Sequence, residues 1–299
     1  MLRSHAEMRS HTHALGQVTL MLHIAGTFPL RSLPEQPLAL LLPDEETHTR
    51  LVLQEPAIAL LRSLHEPLSI ISVVGAYRTG KSYLLNELMS LGCSEGFTVG
   101  HQRHTQTKGI WILPRRDVNG TVRLFMDTEG FEGTGQAEVY DDRIFAFAAL
   151  VSSVLVYNLA ETIKQADIER LAFAAQLSQE FWRRAQRAAS GRSHGEWMPP
   201  ALLWLVQRDF LEGGSVQAYL EQALVPQSGA LDEHGERLNK VREALGSFSS
   251  MRAMGLVQPH TKRTELCSLP RSAFDADYLR GAQEVGGAQW VHVHVHGVV

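Results

Sequence analysis

Gly75-Ala76-Tyr77-Arg78-Thr79-Gly80-Lys81-Ser82 is the stretch that decides the fold. It follows Ile70-Ile71-Ser72-Val73-Val74 and precedes a segment with Leu84, Leu85, Leu88 and Met89 at helical spacing. A continuous β-branched run bounded by glycine reads as a strand buried on both faces of a parallel sheet. The spacing after it predicts a helix over 82–91. Between strand and helix, GxxxxGK[ST] is a phosphate loop, whose glycines let successive N–H groups curl inward. Lys81 can then reach the β- and γ-phosphates, Ser82 can ligate magnesium through its hydroxyl, and the helix N-terminus favours the same anion. The competing reading, a glycine turn that binds nothing, lacks a reason for that strand and helix. Lysine is also scarce, since Lys81, Lys108, Lys164, Lys240 and Lys262 are the only ones.

On the N-terminal side, Leu38 to Leu42 predicts a short strand, Asp44-Glu45-Glu46 a turn and Ala57 to Leu64 a short helix. Gly109 to Pro114 and Thr121 to Met126 flank Asn119-Gly120, a pair that favours a tight hairpin ending at Asp127. Helical pattern over 143–150, a buried strand at Val154 to Tyr157 and a long helix over 161–189 come next. Ile168, Leu171, Ala175 and Trp182 share one face of that helix. After a loop from Gly191 to Pro200, Ala201 to Val206 is the next apolar strand, stopping at Gln207-Arg208-Asp209. Helices near 216–224 and 236–248, a strand near 253–257 and helical segments near 262–268 and 275–284 complete the pattern. Strands alternating with helices predict an α/β fold, a mostly parallel sheet flanked by helices on both faces. The expected organisation is a poorly ordered extension over 1–36, one domain over 37–285 and a tail over 286–299.

The chain has 299 residues, 44% hydrophobic and 20% charged, with a net charge of -4. These are ordinary values for a globular chain with a sizeable core, and the acidic balance gives no reason to expect a nucleic-acid partner. No apolar run approaches the roughly 20 residues a membrane-spanning helix needs. The apolar patch from Val18 to Ile24 is short and has no clear small-residue cleavage site after it, so a signal peptide is not favoured. The terminus His296-Gly297-Val298-Val299 carries no prenylation motif. Cys93 and Cys267 stand alone, without a CxxC pair, so neither a disulfide framework nor a zinc site is expected. That usage suits a reducing compartment and a cytoplasmic location.

Asp127-Thr128-Glu129-Gly130 closes the second hairpin strand. An acid at the carboxyl end of a buried strand can reach magnesium through water, and Gly130 can approach the γ-phosphate. Phe131 stands where many small GTPases carry a water-orienting glutamine, so hydrolysis needs another group. The loop from Gly100 to Lys108 offers the hydroxyls of Thr105 and Thr107, with His101 and His104 reading as solvated linker residues. Arg78 is either an arginine finger in cis or an outer-surface packing residue. For the base, one carboxylate can accept two adjacent N–H groups of guanine and is left unpaired by adenine. No Asn-Lys-x-Asp motif exists, because Asn239-Lys240-Val241-Arg242 lacks the acid. Asp209, beside Arg208 and beyond an apolar strand, sits where a base reader belongs, and GTP and ATP both stay open on these residues.

The residues resemble a known family, the guanylate-binding proteins of the dynamin superfamily, over roughly 37–285. The resemblance rests on Tyr77-Arg78-Thr79-Gly80-Lys81-Ser82-Tyr83-Leu84, Thr107-Lys108-Gly109-Ile110-Trp111, Asp127-Thr128-Glu129-Gly130, Val156-Tyr157-Asn158 and Trp204 through Arg208-Asp209-Phe210. Atlastins are related, but the Arg-Thr-Gly-Lys-Ser-Tyr and Asp-Thr-Glu-Gly forms favour guanylate-binding proteins. The resemblance implies a GTPase using GTP and Mg2+, with catalytic roles for Arg78 as internal arginine finger, Lys81, Thr105 near the attacking water and Glu129 in its support. It implies nucleotide contacts from Gly75, Tyr77, Arg78, Thr79, Gly80, Lys81, Ser82, Tyr83, Thr107, Asp127, Gly130, Arg208 and Asp209. The magnesium ligands it implies are Ser82, Thr107 and, through water, Asp127. It also implies a homodimer formed through the GTPase domain when nucleotide is bound.

The chain departs from the pattern in places. Val206-Gln207 stands where the family has Thr-Leu, the family's long helical domain is not seen, and Trp290-Val291-His292-Val293-His294-Val295-His296 matches nothing in it. The alternative to an active GTPase is therefore a GTP-switched interaction module with little turnover. An ATPase sharing only the phosphate loop is a third reading. A membrane-fusing atlastin-like protein would need an anchor, and none is seen.

Overall fold

The computed structural model describes residues 32–44, 46, 50–100, 107–131, 138–188, 197–229, 232–246, 248 and 250–287. From Pro34 onward these form one compact unit. The expectations for 1–31, for Thr105, His101 and His104, for most of the 191–200 loop and for the histidine tail lie outside the described residues.

The strands are β1 (Leu38–Pro43), β2 (Leu51–Leu53), β3 (Leu68–Val74), β4 (Ile110–Arg116), β5 (Val122–Thr128), β6 (Val154–Leu159), β7 (Ala201–Gln207) and β8 (Ser250–Leu256). The helices among the described residues are α1 (Glu55–Arg62), α2 (Lys81–Leu88), α3 (Glu138–Val151), α4 (Gln165–Ala188), α5 (Val216–Ala223), α6 (Glu233–Leu245) and α7 (Ala276–Gly287). One sheet runs in the order β2-β1-β4-β5-β3-β6-β7-β8. From β5 to β8 every pairing is parallel, and the β2-β1-β4 edge is antiparallel. The Asn119-Gly120 hairpin forms as expected. Gly120 takes φ 82°, and Asp117 Oδ1 accepts from the N–H groups of Asn119 and Thr121 at 2.9 and 3.1 Å. The short β2 was not legible, because three residues carry no measurable period.

Period-two alternation decides which face each side chain meets. Leu202, Trp204 and Val206 of β7 join one buried cluster with residues of α3 and α4. Leu203 and Leu205 join a second, with α2 and α7. Helices therefore cover both faces, as the patterning predicts. Ile168, Leu171 and Ala175 of α4 are buried as the helical period requires. Each full burial of an apolar side chain this size contributes about 1.5–3 kcal/mol.

One expectation is corrected. Cys93 and Cys267 form a disulfide, with their Cα atoms 5.6 Å apart across a sequence separation of 174. Cys93 lies in the loop after α2 and Cys267 just before α7, and the packing of α7 on α2 brings them together. Sequence spacing carries no trace of such a long-range pair. The pairing removes the argument from cysteine usage for a reducing, cytoplasmic setting. Among the described residues, no helix is long and apolar enough to cross a membrane.

Candidate functional site

The sheet delivers the motif residues to its carboxyl edge. β3 lies between β5 and β6, parallel to both, and the chain passes from β5 through α3 to β6 on its other side, so a crevice opens beyond Val74, where open α/β sheets bind ligands. The phosphate loop leaves β3 into this crevice and α2 begins at Lys81. Gly75 must be glycine, since a Cβ there would stand 2.1 Å from the Asn158 carbonyl oxygen. Arg78 takes φ 66° and Gly80 φ 82°, two left-handed positions that curl the loop.

Lys81 is buried and its ammonium donates to the Ala76 carbonyl at 3.0 Å. Burial pushes its pKa down to about 8, against the pull of Asp127, Glu129 and Asp141. Thr79 Oγ1 donates to the same carbonyl at 2.8 Å, which ties the loop across its mouth. The Tyr77 N–H is taken by the Phe131 carbonyl at 2.8 Å, so the loop is bridged to the chain after β5. Gly130 fits beneath it only without a side chain: a Cβ would lie 2.6 Å from Tyr77 Cα and 2.8 Å from Lys81 Nζ.

Three oxygens converge beside Lys81. Ser82 Oγ donates to Asp127 Oδ2 at 2.7 Å and Thr107 Oγ1 donates to it at 3.0 Å. The two hydroxyls are 3.4 Å apart. Asp127 Oδ1 is buried with no hydrogen-bond partner, and burial holds this carboxyl above its usual pKa despite the two hydroxyls and Lys81. A buried, half-satisfied carboxylate flanked by two hydroxyls is an all-oxygen donor set, which suits magnesium. Ser82, Thr107 and Asp127 thus fit the ion. The cavity of about 250 Å³ beside them is lined by Gly96, Phe97, Thr98 and Trp111 as well as Thr107 and Asp127.

Glu129 is buried. Its Oε2 accepts from the Gly109 N–H at 2.7 Å and the Tyr140 hydroxyl at 2.8 Å, which fastens Gly109, two residues beyond Thr107, to α3. Phe131 points away from the crevice. It is buried and stacks on Phe145 at 5.0 Å between ring centroids, and Phe145 packs on Tyr157 and Tyr157 on Trp204. That position serves the core, so no side chain there can orient water.

Arg78 is exposed and donates to the Gly100 carbonyl at 3.1 Å. Its guanidinium lies 5.7 Å from the Tyr77 ring centroid. Tyr83 turns away from the loop into the α2 and α7 packing, where burial and Glu87 push its hydroxyl pKa up.

At the far end of the crevice, Asp209 follows β7 and its N–H donates to the Leu256 carbonyl at 2.9 Å. Its carboxylate lies over Gly255, where a Cβ would meet Oδ2 at 1.9 Å. Arg208, at φ 56°, donates to the Ala160 carbonyl at 3.4 Å and pairs with Glu161 at 3.3 Å. Motif reading gave no positioning role to three residues, Tyr140, Asn158 and Gln207, although the last two lie within its motifs. Asn158 and Gln207 had a signal, each being a polar residue at the end of an otherwise apolar strand. Tyr140 had none.

The family model for the guanylate-binding protein N-terminal domain matches residues 48–284. Guanylate-binding protein 2 of Rattus norvegicus is 32% identical over 247 residues, covering 78% of this chain and 41% of its own length. The Mus musculus counterpart is 31% identical over 238 residues, covering 75% of this chain and 40% of its own. The chain thus spans about two fifths of the length of these curated relatives. Among solved structures, Era in complex with MgGDPNP and a piece of 16S ribosomal RNA aligns at 13% identity with a TM-score of 0.34, over 71% of this chain and 58% of that one.

Proposed function

This chain belongs to the guanylate-binding protein family, and on that premise we propose that it binds GTP with magnesium and hydrolyses it. The observation that carries the reading is the oxygen cluster of Ser82, Thr107 and Asp127 beside the buried Lys81. Such a cluster, with one carboxylate oxygen unpartnered, has no use in a loop that only turns the chain.

Each residue then has a task. Lys81 neutralises charge on the β- and γ-phosphates, and amides of the loop from Gly75 through Gly80, Thr79 among them, cradle the chain of phosphates, while the Tyr77 N–H holds the loop to Phe131. Ser82 and Thr107 would hold the ion, with Asp127 supporting it through water, and a bound magnesium would supply positive charge to the transferring phosphoryl oxygens. Gly130 brings its N–H to the γ-phosphate. Glu129, by fixing Gly109, keeps Thr107, two residues before it, against the reaction centre. Arg78, carried on a left-handed turn at the loop's rim, swings onto the transferring phosphate as an arginine finger in cis. Asp209 accepts the two adjacent N–H groups of guanine, with Arg208 holding its turn. A second copy of the chain docks on the GTPase face when nucleotide is bound.

Phosphate release with GTP and with ATP, each with magnesium, is the test, run on the wild type and on Arg78→Ala. Release from GTP that falls by roughly a hundredfold or more in the variant supports the reading, since such a finger is worth about 10³–10⁵ in rate. Tight GTP binding without release would mark a GTP-switched interaction module, and tighter binding of ATP would remove Asp209 as a guanine reader.

A further inference from the structure

The turn that carries Asp209 and the phosphate loop are joined by a buried side-chain relay. Gln207, the last residue of β7, donates from Nε2 to Asn158 Oδ1 at 2.8 Å. Asn158 in turn donates from Nδ2 to the Thr79 carbonyl at 2.8 Å. Asn158 is fully buried, at 0% exposure, and its own backbone carbonyl is what Gly75 packs against. It therefore touches the phosphate loop near both ends, at Gly75 and at Thr79.

The direction of the amide is what makes the relay informative. An asparagine side chain has one acceptor end and one donor end, and which faces which way is decided by its partners. The Thr79 carbonyl can only accept, so Nδ2 turns to it, Oδ1 turns to β7, and Gln207 answers with its Nε2. Remove that donor and Oδ1 is a buried acceptor without a partner, while Nδ2 keeps its bond to Thr79. The loop then retains its own contact, but the path that ties it to the turn at 207–209 is cut.

We propose that Gln207 is a positioning residue that couples the two halves of the site: a base seated against Asp209 stiffens the turn at 207–209, and through Gln207 and Asn158 sets the phosphate loop in its binding form. This rests on the reading of Asp209 as the guanine acceptor. Gln207 touches neither base nor phosphate in the proposed site, so it adds specificity without adding a contact. Linkage requires the effect to be reciprocal, with phosphate tightening the base by the same factor that base tightens phosphate.

The experiment uses the full chain and two fragments of the nucleotide, guanosine and inorganic tripolyphosphate with magnesium. Tripolyphosphate affinity is titrated alone and with saturating guanosine, for the wild type and Gln207→Leu. The expected result is about fivefold tighter tripolyphosphate binding with guanosine in the wild type. In Gln207→Leu the factor falls to about one, while each fragment alone binds within about twofold of wild type. A purely structural role would instead weaken the fragments separately and leave their ratio intact. A wild-type factor that persists in Gln207→Leu overturns the proposal and leaves the Asp209 reading standing, as does a wild type in which the fragments bind independently. If the wild type binds adenosine as well as guanosine, the Asp209 reading itself has failed, and the proposal with it.

Discussion

Ser82 and Asp127, separated by 45 positions in the chain, meet with Oγ donating to Oδ2 at 2.7 Å, while the other Asp127 oxygen is buried without a partner. A carboxylate so placed is unfavourable until a cation arrives. Asp127→Asn is therefore expected to remove the magnesium-dependent part of GTP affinity, a loss of roughly tenfold or more for a charge-assisted contact. Binding in chelator should change by less than about twofold. Calorimetric titrations with magnesium and with chelator read both numbers, and an undiminished magnesium effect would show that the ion is supported elsewhere.

Gly130 lies under the phosphate loop where a Cβ would stand 2.6 Å from Tyr77 Cα. The Tyr77 Cα and N atoms there are backbone, which cannot swing aside as the flexible end of Lys81 could. Gly130→Ala should push the loop off its bridge to Phe131 and cost about 1–3 kcal/mol of stability. Thermal unfolding and GTP titration on the same sample check it. Wild-type affinity in a stable Gly130→Ala protein would mean that the loop has slack which the close contact conceals.

Much of this was legible from local pattern. The run Ile70 to Val74 into a glycine loop, the Asn119-Gly120 hairpin and the α4 stripe each encode their conformation within a few residues, so their reading needed no partner. Ser82 and Asp127 were legible as neighbours for a different reason, since a phosphate-loop serine and a strand-end acid would serve one ion, while Thr107 joined them only through the family resemblance. What escaped reading depended on two distant segments at once. Cys93 and Cys267 meet only because α7 packs on α2, and Tyr140 meets Glu129 only because α3 lies beneath Gly109. Phe131 was read correctly as not being glutamine, yet its burial against Phe145 needed the sheet to be assembled first.

Gly255 is the floor on which the Asp209 carboxylate rests, with a virtual Cβ 1.9 Å from Oδ2. Turning the carboxylate aside relieves Oδ2 but not the Asp209 Cβ, which would lie 2.6 Å from the added atom, so Gly255→Ala must shift the Asp209 turn as well. The variant should lose about 1–3 kcal/mol of stability, keep its affinity for tripolyphosphate, and lose roughly tenfold or more of its preference for GTP over ATP. Competition titrations measure the preference, and an unchanged ratio would place guanine recognition on other residues.

Glu87 of α2 faces Arg271, 3.1 Å away, and the hydroxyls of Tyr83 and Tyr278 lie in the same packed layer. Burial pushes the Glu87 carboxyl above the ordinary carboxylate value, outweighing the pull of Arg271. A raised folded-state pKa means that the native state holds the proton more tightly than the unfolded chain. The stability cost of ionised Glu87 is therefore absent below the unfolded value and grows as pH rises through the folded one. Glu87→Gln should match wild type at about pH 4 and be the more stable protein at about pH 8. Denaturant unfolding across that range tests the sign, and a variant that is weaker at the higher pH would show that the Arg271 pair dominates.

The disulfide closes a sequence separation of 174 and ties the loop after α2 to the segment that leads into α7. Its effect on the unfolded chain is large because so much of the molecule lies inside the loop. The loop it anchors also carries Gly96, whose Cβ would strike Asn86 Oδ1 at 2.2 Å, and Phe97, which Asn86 holds through both ends of its amide at 2.8 and 2.9 Å. That second set of bonds should keep the cavity wall in place when the sulfurs part. The double variant Cys93→Ser with Cys267→Ser is thus expected to lose about 2–5 kcal/mol of stability while binding GTP within about twofold of wild type. Treatment with a dithiol should lower the wild-type melting temperature to that of the variant and leave the variant unmoved. Equal melting temperatures before reduction would mean that the two cysteines do not pair in solution, and a parallel loss of GTP affinity would mean that the disulfide, rather than Asn86, holds the wall beside Thr107.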